Sequence, residues 1–168
     1  SVTVTPVNDA PSFTPGADET VLEDAGPQTV TGWATDISAG PLDEAGQVLT
    51  FVVTDNTNPA LFAAGPVVDP LTGDLTYTPA DDANGSATIS LRLDDDGGTA
   101  DGGVDQSAVS SFSVTVTPVN DAPSFVPGAD ETVLEDAGPQ TVTGWDREIT
   151  GLNSIQYPRG LSGCEPFT

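Results

Sequence analysis

The residues of this chain that could do chemistry are carboxylates gathered in turns and linkers. The densest group lies in the Gly-rich stretch LDDDGGTADGGVD and comprises Asp94, Asp95, Asp96, Asp101 and Asp105. Gly permits the positive-φ turns that aim oxygens at a common point, and Ca²⁺ takes about six to eight oxygen ligands. The stretch is not an EF-hand loop, because Asp105 stands where that loop carries its final Glu. A cation-binding hairpin tip and a solvated acidic turn both stay open as interpretations.

Catalysis finds little support in the composition. The chain has no His, so the commonest general base is missing and no Ser–His or Cys–His pair can form. The commonest ligand of transition metals is missing as well. The acids lie in turns and linkers rather than along strands that line a cleft, which disfavours the paired carboxylates of a glycosidase. We therefore predict that the protein is not an enzyme.

The charge of the chain restricts its partners. It carries 26 acidic and 3 basic residues, a net charge of −23. Such a surface repels nucleic acid and anionic membranes, and no apolar run approaches the roughly 18 residues of a membrane span. We predict neither nucleic-acid binding nor membrane insertion in this segment. The same charge attracts cations, although adaptation to salty water would explain it too.

Covalent staples are excluded by the same composition. Cys164 is the only cysteine, so no disulfide can form within the chain. All three basic residues are Arg, and without Lys no Lys–Asn isopeptide bond can form. If the fold needs a cross-link for stability, divalent cations are the main candidate left.

The chain repeats its own beginning. Residues 1–33 return as residues 113–145, with 32 of 33 positions identical at an offset of 112 residues. A fixed period of this length is typical of tandem β-sandwich domains. We predict the last strand and linker of a preceding repeat at 1–11 and one complete repeat at 12–119. A linker with the first strands of a truncated next repeat follows at 120–145, and 146–168 is a tail, either foreign to the repeat or native.

The fold class follows from the period of the apolar residues. Apolar and polar residues alternate over 87–93 and 111–117, and residues 47–54 and 74–78 are also rich in β-formers. One apolar face per strand indicates antiparallel sheets packed through a single face. The 15 Pro and 18 Gly spread between these segments disfavour helices. We predict an all-β antiparallel sandwich whose core or rim contains Trp33, among other aromatic residues.

A family resemblance rests on the linker VTVTPVNDAPSF at 2–13. It resembles the linkers between repeats of cadherins and of bacterial cadherin-like, VCBS-type repeats in large surface adhesins. The run VDPLTGDLTY at 68–77 and the run LDDDGG at 93–98 resemble further cadherin motifs, so the resemblance spans about residues 1–145. It implies an immunoglobulin- or cadherin-like sandwich with Greek-key connections. It also implies a secreted protein of the bacterial cell surface and Ca²⁺ at the junctions between repeats.

The resemblance further implies which residues hold the metal. The junction before the complete repeat would use Asn8 and Asp9 of the linker with Asp36. The junction after it would use Glu23, either Asp81 or Asp82, and the second linker residues Asn120 and Asp121.

We expect the protein to be a structural extender that holds a distant binding domain away from the cell, stiffened by Ca²⁺. Its partners would be the neighbouring repeats of the same chain, and copies of itself if the broken ends pair. Two alternatives stay open. One is a sandwich module that binds a glycan or a protein, and the other is a filament-forming subunit that exchanges strands at residues 1–7 and 132–145.

Overall fold

The computed structural model describes residues 1–143 in full and, beyond them, the backbone of one strand at Asp146–Thr150. The chain forms two compact units, Ser1–Val119 and Asn120–Thr168. The predicted all-β fold is confirmed, since the regular structure consists of strands joined by turns and by short 3-10 segments. Within the described residues, no helix is long and apolar enough to cross a membrane.

The first unit is a β-sandwich built from two main sheets. Its strands are β1 (Ser12–Thr14), β2 (Glu19–Leu22), β3 (Gln28–Val30), β4 (Thr35–Ser38), β5 (Thr50–Asn56), β6 (Phe62–Val68), β7 (Leu75–Pro79), β8 (Gly85–Asp94) and β9 (Ser110–Thr117). The larger sheet has the order β2-β9-β8-β5 and the smaller one β3-β7-β6. Strands β1 and β4 form a separate two-stranded ribbon.

One strand pair departs from the predicted antiparallel arrangement. Strand β2 runs parallel to β9, with Glu19 opposite Val114 and Leu22 opposite Thr117. Parallel neighbours need a long crossover connection, and here the whole body of the sandwich between β2 and β9 serves as that connection. The other pairings of the two main sheets are antiparallel. The Greek-key connectivity stays a prediction.

The core confirms the period-two pattern. On β8 the residues Ala87, Ile89, Leu91 and Leu93 are buried, and on β9 so are Phe112, Val114 and Val116. The smaller sheet closes over them with Val68, Leu75 and Tyr77. Trp33 packs against Phe112 with a centroid distance of 4.5 Å, and its indole N–H donates to the carbonyl of Ala17 at 3.0 Å. The indole is therefore a core group with its polar atom satisfied.

Identical residues behave differently where their partner strands differ. Residues 1–7 have the sequence of residues 113–119 but form no strand, and the side chains of Val2 and Val4 are 93% and 85% exposed. Their equivalents Val114 and Val116, in the middle of the larger sheet, are 0% and 1% exposed. The alternating sequence thus permits a strand, but paired neighbours are needed to form it.

The second unit contains one antiparallel pair, β10 (Ser124–Pro127) and β11 (Asp146–Thr150). Ser124 lies opposite Thr150, which is the register of Ser12 opposite Ser38 in the first unit, shifted by one repeat. The backbone of β11 therefore takes the position of β4, although its sequence has left the repeat. The remainder of the predicted tail, residues 151–168, lies outside the described residues.

The turn between β6 and β7 ties the smaller sheet to the Trp33 segment, and Gly73 makes this possible. Gly73 has a φ of 74° and its carbonyl accepts the N–H of Ala34 at 2.9 Å. A Cβ at this position would overlap the carbonyl oxygen of Ala34.

We expect Gly73→Ala to destabilise the fold by about 2–4 kcal/mol, because the left-handed backbone and the clash with main-chain atoms add up. Gly65→Ala on β6 is the matched control, since a Cβ there meets nothing within 4 Å. Urea denaturation followed by tryptophan fluorescence measures both variants. Equal midpoints for the two variants would contradict this account of the turn.

Candidate functional site

Acidic and amide side chains gather at the two ends of β9, which we call the N-terminal and C-terminal poles. The N-terminal pole comprises Asn8, Asp9, Glu44, Gln47 and Asp95. The C-terminal pole comprises Glu23, Asp24, Asp82 and Asn84. The eight residues of β9 separate the poles by roughly 25 Å, at a rise of about 3.3 Å per residue. Both poles lie in the first unit.

The C-terminal pole is organised by Glu23, whose side chain is only 4% exposed. One carboxylate oxygen accepts the N–H of Val119 at 2.6 Å, and the other accepts the side-chain amide of Asn84 at 2.9 Å. The backbone N–H of Glu23 donates to the carbonyl of Thr117 at 2.9 Å. Glu23, predicted as a junction ligand, therefore fastens the end of β9 to the loop before β8.

Asp24 and Asp82 extend this pole into the solvent. Their carboxylate oxygens lie within 4.8 Å of each other, and the N–H of Asp82 donates to Asp24 at 3.1 Å. Both residues have positive φ, 61° and 56°, which Asp tolerates better than most residues. Acidic oxygens this close together could hold a metal ion. The two predicted alternatives, Asp81 and Asp82, are both exposed to solvent, and Asp82 is the one with this acidic neighbour.

Asp24 was not among the predicted residues. A signal existed, because the sequence LEDAG puts a second acid beside Glu23 just before a Gly turn. The predicted linker ligands Asn120 and Asp121 belong to the second unit, where the Asn120 side chain donates to the carbonyl of Asp121 at 3.2 Å.

The N-terminal pole is organised by Asn8. Its amide nitrogen donates to a carboxylate oxygen of Asp95 at 2.9 Å and to the carbonyl of Val104 at 2.8 Å. Its amide oxygen accepts from the side-chain nitrogen of Gln47 at 2.6 Å. The linker and the acidic hairpin tip, which the sequence presents as two separate candidate sites, are therefore one cluster.

The predicted partners of Asn8 do not all join it. Asp9 contributes its backbone N–H, which donates to Glu44 at 2.8 Å, while its side chain is exposed. Asp36 accepts a hydrogen bond from the Thr14 hydroxyl at 3.1 Å. The acid that contacts the linker is Glu44, on the 3-10 segment Leu42–Glu44, which was not predicted. Its only sequence signal is the pair of acids that follows Pro41.

The other acids of the hairpin tip have different partners. Asp94 accepts two hydrogen bonds from Arg92, at 2.7 and 3.1 Å, which raise the pKa of the guanidinium. Asp96 accepts the N–H of Val48 at 2.9 Å. Asp101 is exposed, and Asp105 contributes its backbone carbonyl to the N–H of Asp95. Among the five predicted acids, Asp95 is the one whose carboxylate the hydrogen bonds tie to Asn8.

Comparison with known proteins adds no relative. The sequence matches no protein-family model and no curated protein. The arrangement at the poles is therefore the basis for a functional conclusion.

We expect Glu23→Gln to destabilise the fold by about 1–3 kcal/mol in EDTA, because one amide cannot accept from both Val119 and Asn84 and a buried donor loses its acceptor. Urea denaturation measures the loss. Asp81→Asn removes the same charge from an exposed position, so its midpoint should match that of the unmodified protein. An unchanged midpoint for Glu23→Gln would show that the hydrogen bonds from Val119 and Asn84 to the Glu23 carboxylate contribute nothing to the stability of the fold.

Proposed function

We propose that the protein is a structural extender repeat of a secreted, cell-surface adhesin-like molecule, and that Ca²⁺ at the junctions between repeats keeps it stiff. One observation carries the proposal. The buried Glu23 holds the N–H of Val119, the last residue of the first unit, and Asp24 and Asp82 lie together at the same pole. The point where the chain leaves the sandwich is therefore flanked by acidic oxygens.

The linker itself supports a junction role. Asn120 and Asp121 follow Val119 directly, and two residues of extended chain reach at most about 7 Å. The same NDAP sequence occurs at residues 8–11, where Asn8 is held by the sandwich that follows it. Both linkers thus place an amide and a carboxylate where the chain meets a sandwich.

The proposed mechanism converts repulsion into coordination. Without a cation, the carboxylates at a junction repel one another and the linker can bend. A bound Ca²⁺ turns the same oxygens into ligands and stabilises the folded form by RT ln(1 + [L]/Kd), about 2.7 kcal/mol at a hundredfold excess over Kd. Salt adaptation alone explains a high net charge but gives no reason for acids to gather where the chain enters and leaves.

A second candidate, a module that binds a glycan or a protein, is favoured by one cavity. This cavity has a volume of about 300 Å³ and lies between the two main sheets, lined by apolar residues that include Phe51, Val67, Val68 and Phe112. Ligand pockets of this size normally carry a few polar groups that orient the ligand. The lining residues supply no polar side chain, so we rank this function second.

We expect millimolar Ca²⁺ to raise the midpoint of thermal unfolding by roughly 5–10 °C relative to EDTA, on the stabilisation given above. Mg²⁺, and NaCl at matched ionic strength, should give much smaller shifts, because screening does not require coordination. Differential scanning calorimetry of the full chain measures this.

Asp24→Asn and Asp82→Asn should each reduce the Ca²⁺-specific part of the rise. The control Asp55→Asn removes one charge from an exposed position on β5 and should leave the rise intact. A rise of equal size in NaCl would identify the acids as a screened surface and remove Ca²⁺ from the proposal.

A further inference from the structure

Three buried side-chain oxygens at the N-terminal pole accept no hydrogen bond from any described residue. They are Glu44 Oε2, Gln47 Oε1 and Asp95 Oδ2. The Glu44 side chain is only 6% exposed. An unsatisfied buried polar atom costs about 1–3 kcal/mol, and more when it is charged, so three of them in one cluster require a partner.

Hydrogen bonds join the residues that carry these atoms. The N–H of Gln47 donates to the carbonyl of Glu44 at 3.0 Å, and the other oxygen of Glu44 accepts the N–H of Asp9. Asn8 links the Gln47 side chain to the Asp95 carboxylate. Asn8, Glu44 and Gln47 also line a cavity of about 220 Å³. The Asp95 carboxylate reaches this group through its bond to Asn8.

The orientation of the Gln47 amide follows from the charges of its neighbours. An ionised carboxylate can only accept, so Asn8 must turn its NH₂ towards Asp95 and its oxygen towards Gln47. Gln47 must then donate through its own NH₂, which leaves Oε1 as an acceptor without a donor. Reversing the amide would set two oxygens against each other. The surplus of acceptors is therefore built into the network.

Two glycines leave room for this arrangement. A Cβ at Gly40 would overlap Glu44 Oε2, and a Cβ at Gly97 would overlap the Asn8 side chain. The chemistry of the missing partner is equally restricted. Arg92, the only basic side chain in residues 1–143, is engaged by Asp94, so no other described side chain carries a positive charge that could balance these two carboxylates.

We propose that the N-terminal pole is a site for a divalent, oxygen-preferring cation, held by Glu44, Gln47 and Asp95, with Ca²⁺ as the best match. Two carboxylates and an amide oxygen are ligands that Ca²⁺ prefers, and waters in the open cavity complete its shell. Softer metals would favour nitrogen or sulfur. The site uses no residue of a neighbouring repeat, and it ties the incoming linker to the sandwich through Asn8 and Asp9. This inference deepens the proposed calcium-stiffened extender and rests on it.

Calorimetric titration of the full chain with CaCl₂ tests the site, comparing Glu44→Gln with the unmodified protein. In Glu44→Gln the retained oxygen can still accept the Asp9 N–H, and an NH₂ group replaces the unsatisfied oxygen. We expect one fewer Ca²⁺ per chain, or affinity at this site at least about tenfold weaker. In EDTA the variant should unfold at the same temperature as the unmodified protein or higher, because an unpaired buried charge has been removed. A carboxylate with a purely structural role would give a lower unfolding temperature.

Asp95→Asn provides the second variant, because it keeps the oxygen that accepts from Asn8 and Gly97 and changes only the other. Asp55→Asn is again the charge-matched control. Unchanged stoichiometry and affinity in either variant, or a loss of stability in EDTA, overturns the inference and leaves the proposed function standing. Loss of binding in both variants, with Asp82→Asn unaffected, supports this site and removes the C-terminal pole from the proposal. An unmodified protein that binds no Ca²⁺ overturns both.

Discussion

The sandwich depends on the pairing of β9 on both of its sides. In register with β8 and β2, its alternate residues Phe112, Val114 and Val116 fill the core. The same sequence at residues 1–7 has no such neighbours and exposes its valines. The difference is a matter of burial, since a fully buried Val contributes about 1.5–3 kcal/mol relative to an exposed one, and a lone strand cannot offset the entropy of ordering its backbone.

The same strand relates the two poles. The segment before β9 carries the Asp95 partner Asp105, and the residues after it are held by Glu23. The chain therefore enters the sandwich beside one acidic cluster and leaves it beside another. In an array of such units, each junction would therefore bring acidic side chains of two units close together.

The repeat shows which features are local. In both copies the sequence LEDAGPQ forms the same turn, with positive φ at Asp24 and Asp136, and with Gln28 and Gln140 bonded to the equivalent carbonyls. In the first copy only, strand β2 precedes this turn and strand β3 follows it. Turn geometry comes from side chains within a few residues of one another. The strands depend on β9 and β7, which come much later in the chain.

The sequence by itself determined the all-β fold class, the buried faces of β8 and β9 and the surplus of carboxylates, because alternation, composition and turn residues are local properties. Only the tertiary structure decided which acids meet. It joined Asn8 to Asp95 across 87 residues, Asp9 to Glu44 across 35 and Thr14 to Asp36 across 22. In the sequence these carboxylates cannot be told apart, because their side chains have the same chemistry. Their roles are separated by strand register and by burial, which leaves some carboxylates satisfied and others without a donor.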